Sequence, residues 1–241
     1  MEEEFRRLTS LEEMKRHEAS ILIDNVSSLL REEPSSIRIE SRNVAFVGDT
    51  HGDLLTSVYV AKRYLDHGWL VIFLGDYVDR GLYQIANLNF LLQQKESHPK
   101  RLVLLRGNHE TKDSNIHYGF FGRVKATYGS SFYSNYEKLF SNLSYSAIVN
   151  GKFLAVHGGL ARQLRTIADL ERLPKHQYSL DPICFELLWN DPNEFIEGFE
   201  TNDRGPGTYY FGPDVLDEFL DGNGLKAMIR SHEPRPNGYS V

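Results

Sequence analysis

The stretch GDYVDRG, residues 75–81, directly follows the apolar run WLVIFL, residues 69–74. Asp76, Asp79 and Arg80 therefore place two carboxylates and a guanidinium just after a segment with the length and composition of a buried strand. A surface turn that improves solubility would have the same composition. The partners supplied by the rest of the chain decide whether this turn belongs to a catalytic edge.

The same pattern, an apolar run followed at once by a polar cluster, occurs five times. The clusters are GDTHGD, GDYVDRG, RGNHE, HGG and RSHE, after the runs at 44–47, 69–74, 102–105, 153–156 and 225–229. Stretches of helical character lie between them, such as 54–67, 82–97 and 131–143. Strands that are apolar throughout are covered on both faces, which predicts a layered α/β fold. Sites in such folds gather beyond the strand ends, so we expect the five clusters to meet at one edge.

Composition restricts the classes of function. The chain has 241 residues, enough for one well-cored domain, and a net charge of −6, which does not favour a nucleic-acid partner. No run approaches the roughly 20 apolar residues of a membrane span. The single cysteine, Cys184, fits a reducing compartment, and the N-terminus MEEEFRR lacks the layout of a secretory signal. We therefore expect a cytoplasmic protein.

The first 32 residues have apolar positions at mostly three- and four-residue steps, which predicts an amphipathic helix. The stretch REEPSS, residues 31–36, ends it. We interpret residues 1–36 as a helical segment that packs on the core and residues 37–241 as a single catalytic domain. A partner-binding helix is the alternative. From about residue 180, Asp-, Asn-, Gly- and Pro-rich stretches such as 187–195 and 201–212 predict loops.

The five clusters supply carboxylate and amide oxygens and imidazole nitrogens, but no thiolate. The candidate metal ligands are Asp49, His51, Asp76, Asn108, His157 and His232. Mixed oxygen and nitrogen ligands suit Mn²⁺, Fe or catalytic Zn²⁺. Six ligands exceed the need of one open catalytic ion and are about right for two, if Asp76 bridges them.

The motifs GDTHG, GDYVDRG, RGNHE, HGG and RSHE, in this order, resemble the PPP family of metal-dependent serine/threonine protein phosphatases, in particular the branch that contains protein phosphatase 1. The segments LLWNDP, NDRG and YYFG are similar to that family as well, and the resemblance runs from about Asn43 to about Glu233. It implies an α/β/β/α metallophosphoesterase fold, a central β-sandwich flanked by helices with a dinuclear site at the strand C-terminal ends. Family members continue beyond RSHE, so we expect the C-terminal end of the domain to be short.

The resemblance also implies a role for each residue. Asp49, His51 and Asp76 resemble the ligands of one metal, and Asp76, Asn108, His157 and His232 those of the other. Arg80, Arg204 and Asn108 resemble the groups that bind the substrate phosphate. His109 resembles the general acid, and Asp79 the carboxylate that orients it.

The implied activity is hydrolysis of phosphoserine and phosphothreonine in proteins. A hydroxide bridging two divalent ions, Mn²⁺ in vitro with Fe or Zn as alternatives, attacks phosphorus in line while His109 protonates the leaving alkoxide. The expected partners are phosphoprotein substrates and regulatory proteins, with no nucleic acid and no membrane. Two alternatives remain: the same site could act on dinucleoside polyphosphates or phosphotyrosine, or the chain could bind phosphoproteins without turnover.

Overall fold

The computed structural model describes residue 6 and residues 8–241. Its α-helices are α1 (Arg16–Glu32), α2 (Leu54–Arg63), α3 (Gln84–Ser97), α4 (Lys112–Tyr118), α5 (Phe120–Tyr128), α6 (Tyr133–Ser141), α7 (Ile167–Glu171), α8 (Pro182–Trp189) and α9 (Pro213–Gly222). Short 3₁₀ turns cover Ser10–Glu13, Leu65–His67 and Ser130–Phe132. The strands are β1 (Ser36–Ile39), β2 (Val44–Val47), β3 (Leu70–Phe73), β4 (Leu102–Leu104), β5 (Ser146–Val149), β6 (Phe153–Val156), β7 (Asp191–Pro192), β8 (Phe199–Thr201), β9 (Tyr209–Phe211) and β10 (Ala227–Ile229).

The strands form two larger sheets and one small sheet. Strands β2, β3 and β4 are parallel in one sheet. The other has the order β1-β5-β6-β10, in which β5 and β6 are antiparallel and the two outer pairs are parallel. The small sheet has the order β7-β9-β8. All five strands that the sequence predicted are present.

Alternating side chains of the two larger sheets face each other. Ile72 of β3, with Leu74 just beyond its end, packs in one buried cluster with Ala147 and Val149 of β5 and Ala155 of β6. The opposite faces pack on helices, because alternate residues of a strand point to opposite sides. Helices α1, α2, α3, α5 and α6 cover the β2-β3-β4 sheet, and α7, α8 and α9 cover the other. The predicted α/β/β/α layering is thus confirmed.

Helix α1 packs on the first of these helical layers. Ala19, Ile23, Val26 and Leu30 are fully buried in the same cluster as side chains of α3 and α6. The helix ends at Glu32, before Pro34, as the sequence predicted. Residues 1–5 and 7 of the predicted helix lie outside the described residues. The division into 1–36 and 37–241 stays a prediction, and β1 begins at Ser36, at its boundary.

Several elements differ from the sequence prediction. The stretch 187–195 was expected to be a loop, but its first three residues end α8, whose Leu187 and Leu188 are fully buried. The apolar run that starts at Pro182 favours a helix over the turn that the later Asp, Asn and Pro indicate. The stretch 201–212 was also expected to be a loop, but it contains β9, which pairs with β7 and β8. Strands β1, β5, β7 and β8 were not predicted either. Among the described residues, no helix is long and apolar enough to cross a membrane.

Candidate active site

The predicted ligands converge beyond the C-terminal ends of β2, β3, β4, β6 and β10. The backbone N–H of His51 donates to the carbonyl of Asp76 at 2.9 Å. The N–H groups of His109 and His232 donate to the carboxylates of Asp76 (2.9 Å) and Asp49 (3.1 Å). Loops from both sheets are thereby joined at one edge of the sandwich.

One group of donors lies around His51. Its Nδ1 is 2.7 Å from the carbonyl of Val78, so Nδ1 carries the proton and Nε2 keeps its lone pair. That Nε2 lies 3.5 Å from Asp76 Oδ2 and 3.9 Å from Asp49 Oδ2. His51, Asp76 and His109 each offer a ligand atom within 4.8 Å of the others.

A second group lies around His157, which is fully buried. Its Nδ1 is 2.9 Å from the carbonyl of Leu74, so Nε2 again presents a lone pair. Nε2 lies 2.9 Å from Asn108 Oδ1, 3.1 Å from His232 Nδ1 and 3.5 Å from Asp76 Oδ1. Asp76, His157 and His232 also each offer a ligand atom within 4.8 Å of the others, so Asp76 is common to both groups.

These donors fit divalent cations. The Nε2 atom of His51, in the first group, is buried and has no hydrogen-bond partner. In the second group, the lone pairs of His157 Nε2 and Asn108 Oδ1 face each other at hydrogen-bond distance with no proton between them. A cation in each group would satisfy these atoms. The site can therefore hold two metal ions that share the Asp76 carboxylate.

The charges of the site lead to the same conclusion. Burial, together with the neighbouring carboxylates of Asp49 and Glu110, raises the pKa of Asp76 well above its ordinary value. Burial lowers the pKa of His157 to about 4 and lowers that of His232 further still. The protein alone thus favours the neutral forms of Asp76, His157 and His232. Bound cations would favour the ionised Asp76 carboxylate and the unprotonated imidazoles.

His109 and Asp79 form a buried pair. His109 Nδ1 lies 2.7 Å from Asp79 Oδ2. The Asp79 carboxylate also accepts hydrogen bonds from Asn115 Nδ2 at 2.9 Å and from the N–H of Phe120 at 2.8 Å. Its oxygens are fixed in direction, and His109 Nε2 is left facing Arg80 Nη2 at 3.2 Å.

The two predicted phosphate-binding arginines have different environments. The exposed Arg80 guanidinium lies over the ring of Tyr118, with its carbon 5.3 Å from the ring centroid. Arg204 lies in the loop between β8 and β9, and its Nε donates to Asp191 Oδ2 at 2.5 Å. Its Nη2 is 3.4 Å from the carbonyl of His232, which places this guanidinium at the second donor group.

Strained backbone is concentrated at this site. Among the described residues, seven that are not glycine have positive φ, and five of them are His51, Asp76, Asp79, Arg80 and His232. Such conformations cost of the order of 1–3 kcal/mol each and persist only where the surroundings enforce them. Gly107 allows the loop after β4 to lie close to Asp76, because a Cβ atom at position 107 would overlap Asp76 Oδ1.

Glu110 was not predicted as a site residue, although it ends the RGNHE motif. Its buried carboxylate accepts hydrogen bonds from the N–H groups of Asp76, Tyr77 and Gly107 at 2.7, 2.9 and 2.9 Å. It therefore joins the loops after β3 and β4. Burial raises its pKa to about 7. Its place within a motif is the only signal in the sequence.

Three further residues support the site without having been predicted. Gln84 accepts the N–H of Asp79 at 2.9 Å. The carbonyl of Val78, a residue interpreted from sequence as packing, orients His51. Asp191 accepts from both Arg204 and Arg230. These roles depend on backbone direction, which periodicity does not reveal.

Comparison with known proteins agrees with this geometry. Residues 42–236 match the family model described as calcineurin-like phosphoesterase. The chain is 34% identical over 225 residues to a protein phosphatase 2A catalytic subunit of Dictyostelium discoideum, covering 91% of this chain and 71% of that protein. It is 36% identical to the serine/threonine-protein phosphatase PP2A-like PPG1 of Candida albicans, covering 91% and 53%. Several of the curated relatives are thus about twice as long as this chain.

Solved structures give the same result. A protein serine/threonine phosphatase from Saccharomyces cerevisiae, described as similar to human phosphatase PP5, matches with a TM-score of 0.85 at 30% identity, over 92% of this chain and 72% of that one. A cold-active protein tyrosine phosphatase shares the fold, with a TM-score of 0.60 at 18% identity, over 86% of this chain and 69% of that one. The family prediction is confirmed, and the chain belongs to the calcineurin-like phosphoesterase family, in which it is similar to serine/threonine-protein phosphatases.

Proposed function

We propose that this chain hydrolyses phosphoserine and phosphothreonine esters in proteins. The observation that carries the proposal is the position of His109. Its Nε2 lies 4.0 Å from Asp76 Oδ2, at the donor groups, and 3.2 Å from the Arg80 guanidinium. A proton donor, a cation for phosphate and the metal-binding groups are therefore adjacent. The names of the relatives support a phosphoprotein substrate.

Six residues would hold two divalent ions, with Asp76 shared. They are Asp49, His51, Asp76, Asn108, His157 and His232. Mn²⁺ is the ion we expect to support activity in vitro, and Fe or Zn²⁺ suits the same oxygen and nitrogen donors. When bound, the ions supply Lewis-acid stabilisation of the phosphoryl oxygens and activation of water.

The chain's own residues would bind the phosphate. A phosphate monoester is a dianion, and guanidinium groups bind its oxygens through parallel hydrogen bonds. Arg80 lies beside His109, and Arg204 lies beside His232. Asp191 holds Arg204 in direction. The two guanidinium groups thus lie beside different members of the donor cluster, and Asn108 is the third group that we expect to bind the phosphate.

His109 would give its proton to the leaving group. An alkoxide from serine or threonine is a poor leaving group, so protonation of its oxygen lowers the barrier. Asp79 accepts from Nδ1, which directs Nε2 to the substrate and stabilises the protonated ring. Asp79 itself is held by Asn115 and the N–H of Phe120, so the pair keeps its orientation between turnovers.

The wider setting is proposed in the same way. Residues 37–241 form the catalytic domain, the substrates are phosphoproteins, and regulatory proteins are further partners. The place of action is the cytoplasm, as the single buried cysteine and the sequence composition indicate.

The test is a phosphatase assay on the purified chain with and without metal. Protein stripped with EDTA should be inactive on phosphoserine peptides, and Mn²⁺ should restore turnover. Phosphotyrosine peptide and diadenosine tetraphosphate serve as the competing substrates. A higher kcat/KM on either would replace the proposed substrate class. Binding of phosphopeptide without turnover in saturating Mn²⁺ would replace catalysis by recognition.

A further inference from the structure

A second polar pocket lies between the C-terminal halves of α1 and α6 and the segment 176–178. Its volume is about 220 Å³. Ser27 and Arg31 line it from α1, Lys138 from α6, and His176 from the segment that follows α7. None of its lining residues belongs to the five strand-end clusters of the candidate active site.

The pocket is cationic. Arg31 and Lys138 supply its positive charges, and the residues that line it include no carboxylate. Lys138 has one exposed partner, Asp24, at 3.2 Å. Arg31 has no carboxylate within ion-pair distance among the described residues. An unpaired guanidinium at the edge of a concave site is suited to bind an anion.

Arg31 is not needed to offset the negative C-terminal end of the α1 helix dipole. Cations often lie near helix C-termini because they offset the negative end of the helix dipole. Here Lys175 already has this role, because its Nζ donates to the carbonyls of Leu30 at 3.0 Å and Glu33 at 2.7 Å. Arg31 therefore remains available to a ligand.

Two side chains at the pocket have a polar atom without a hydrogen-bond partner among the described residues. Ser27 is 2% exposed, and its Oγ has no partner. His176 has left-handed backbone with φ of 66°, and its Nδ1 lies 2.7 Å from Asn142 Oδ1, whereas its Nε2 has no partner. Burial, with Lys175 and Arg31 nearby, lowers the pKa of His176, an effect that a bound anion would oppose.

We propose that this pocket binds a phosphate group, apart from the catalytic site. The guanidinium of Arg31 and the ammonium of Lys138 would pair with its oxygens. The group is either inorganic phosphate or a phosphoryl group on a serine or threonine side chain of a protein. The inference does not depend on the proposed activity.

The test follows amide and imidazole NMR signals of the full chain loaded with Zn²⁺. Inorganic phosphate, added at constant ionic strength against chloride, should shift the signals of Ser27 and His176 saturably. Arg31→Gln should weaken this response at least tenfold, because it removes one charge from the anion's main partner. Arg42→Gln, which removes an exposed charge outside the pocket, should leave it unchanged.

Two peptides identify the source of the phosphate. One carries a non-hydrolysable phosphonate analogue of phosphoserine, and the other carries serine. If the phosphonate peptide binds at least tenfold more tightly than inorganic phosphate and the serine peptide causes no shift, the pocket is a phosphoprotein site. Equal affinity assigns a site for the free anion. The inference would be overturned if neither probe gave a saturable shift at Ser27 and His176. A response unchanged by Arg31→Gln would overturn it as well.

Discussion

His109 differs from His51 and His157 in the group that contacts its Nδ1, which is the Asp79 carboxylate, while its Nε2 lies beside the Arg80 guanidinium. His51 and His157 instead use one nitrogen to contact a backbone carbonyl. A carbonyl fixes the neutral ring for metal binding, whereas a carboxylate stabilises the protonated ring. The hydrogen-bond partner thus separates a proton donor from a ligand.

His109→Asn should lower kcat on a phosphoserine peptide by about 10²–10⁴. The loss on p-nitrophenyl phosphate should be much smaller, because that leaving group departs without a proton. The measurement compares the two substrates and the metal content of the variant, which should equal that of the wild type. An equal loss on both substrates would show that His109 is not the acid.

Glu110→Gln should weaken metal binding by about 10–100-fold, the usual cost of losing a residue that orients a metal ligand. Glu110 holds the proposed ligand Asp76 in place by accepting a hydrogen bond from its backbone N–H. One carboxylate oxygen becomes an NH₂ group, so the side chain loses either the hydrogen bond from Tyr77 to Oε1 or those from Asp76 and Gly107 to Oε2. The metal Kd is measured by competition with a chelator. Glu40→Gln, at an exposed residue, is the matched control. Equal metal affinity in both variants would contradict the assigned role.

At the scale of elements, helix α1 offers a test of how firmly the N-terminal segment belongs to the core. Ile23 is fully buried, whereas Ile21 on the same helix is 59% exposed. Ile23→Ala should lower the free energy of unfolding by about 2–5 kcal/mol, because it leaves a cavity. Ile21→Ala should change it by less than about 0.5 kcal/mol. Urea unfolding measures both, and equal losses would mean that α1 does not pack as described.

The elements divide by how local their signals are. Strands β2, β3, β4, β6 and β10 were predicted because each is an apolar run followed by a polar cluster. Strand β1 is not a uniform apolar run, because Ser36 and Arg38 alternate with isoleucines, and its partner β5 lies 110 residues further along the chain. No local pattern in the sequence indicates which strands pair over that distance, so both strands were missed.

The site follows the same division. The candidate ligands and the proposed acid could be selected from the sequence because their side-chain chemistry is visible in the motifs. The supporting residues act through backbone groups, as Glu110 does with three N–H donors. The directions of those N–H groups exist only in the folded chain, so no pattern of residue types indicates them.

At the scale of the whole molecule, metal binding should stabilise the fold. A ligand that binds only the native state adds RT ln(1 + [L]/Kd), about 4 kcal/mol at a thousandfold excess over Kd. Mn²⁺ should therefore raise the Tm of the EDTA-treated protein in a concentration-dependent way. Asp76→Asn should raise the Tm of the metal-free protein, because a buried carboxyl with a raised pKa costs stability at neutral pH and an amide does not. It should also abolish the response to Mn²⁺, and a retained response would show that Asp76 is not a ligand.

The hydrogen bond from the N–H of His232 to Asp49 joins positions that are 183 residues apart. His232 follows β10, which pairs with β6. During synthesis the ribosome therefore releases this proposed ligand long after Asp49. A nascent chain that has emerged only as far as β6 lacks His232, so we expect metal uptake at the end of folding rather than at its beginning.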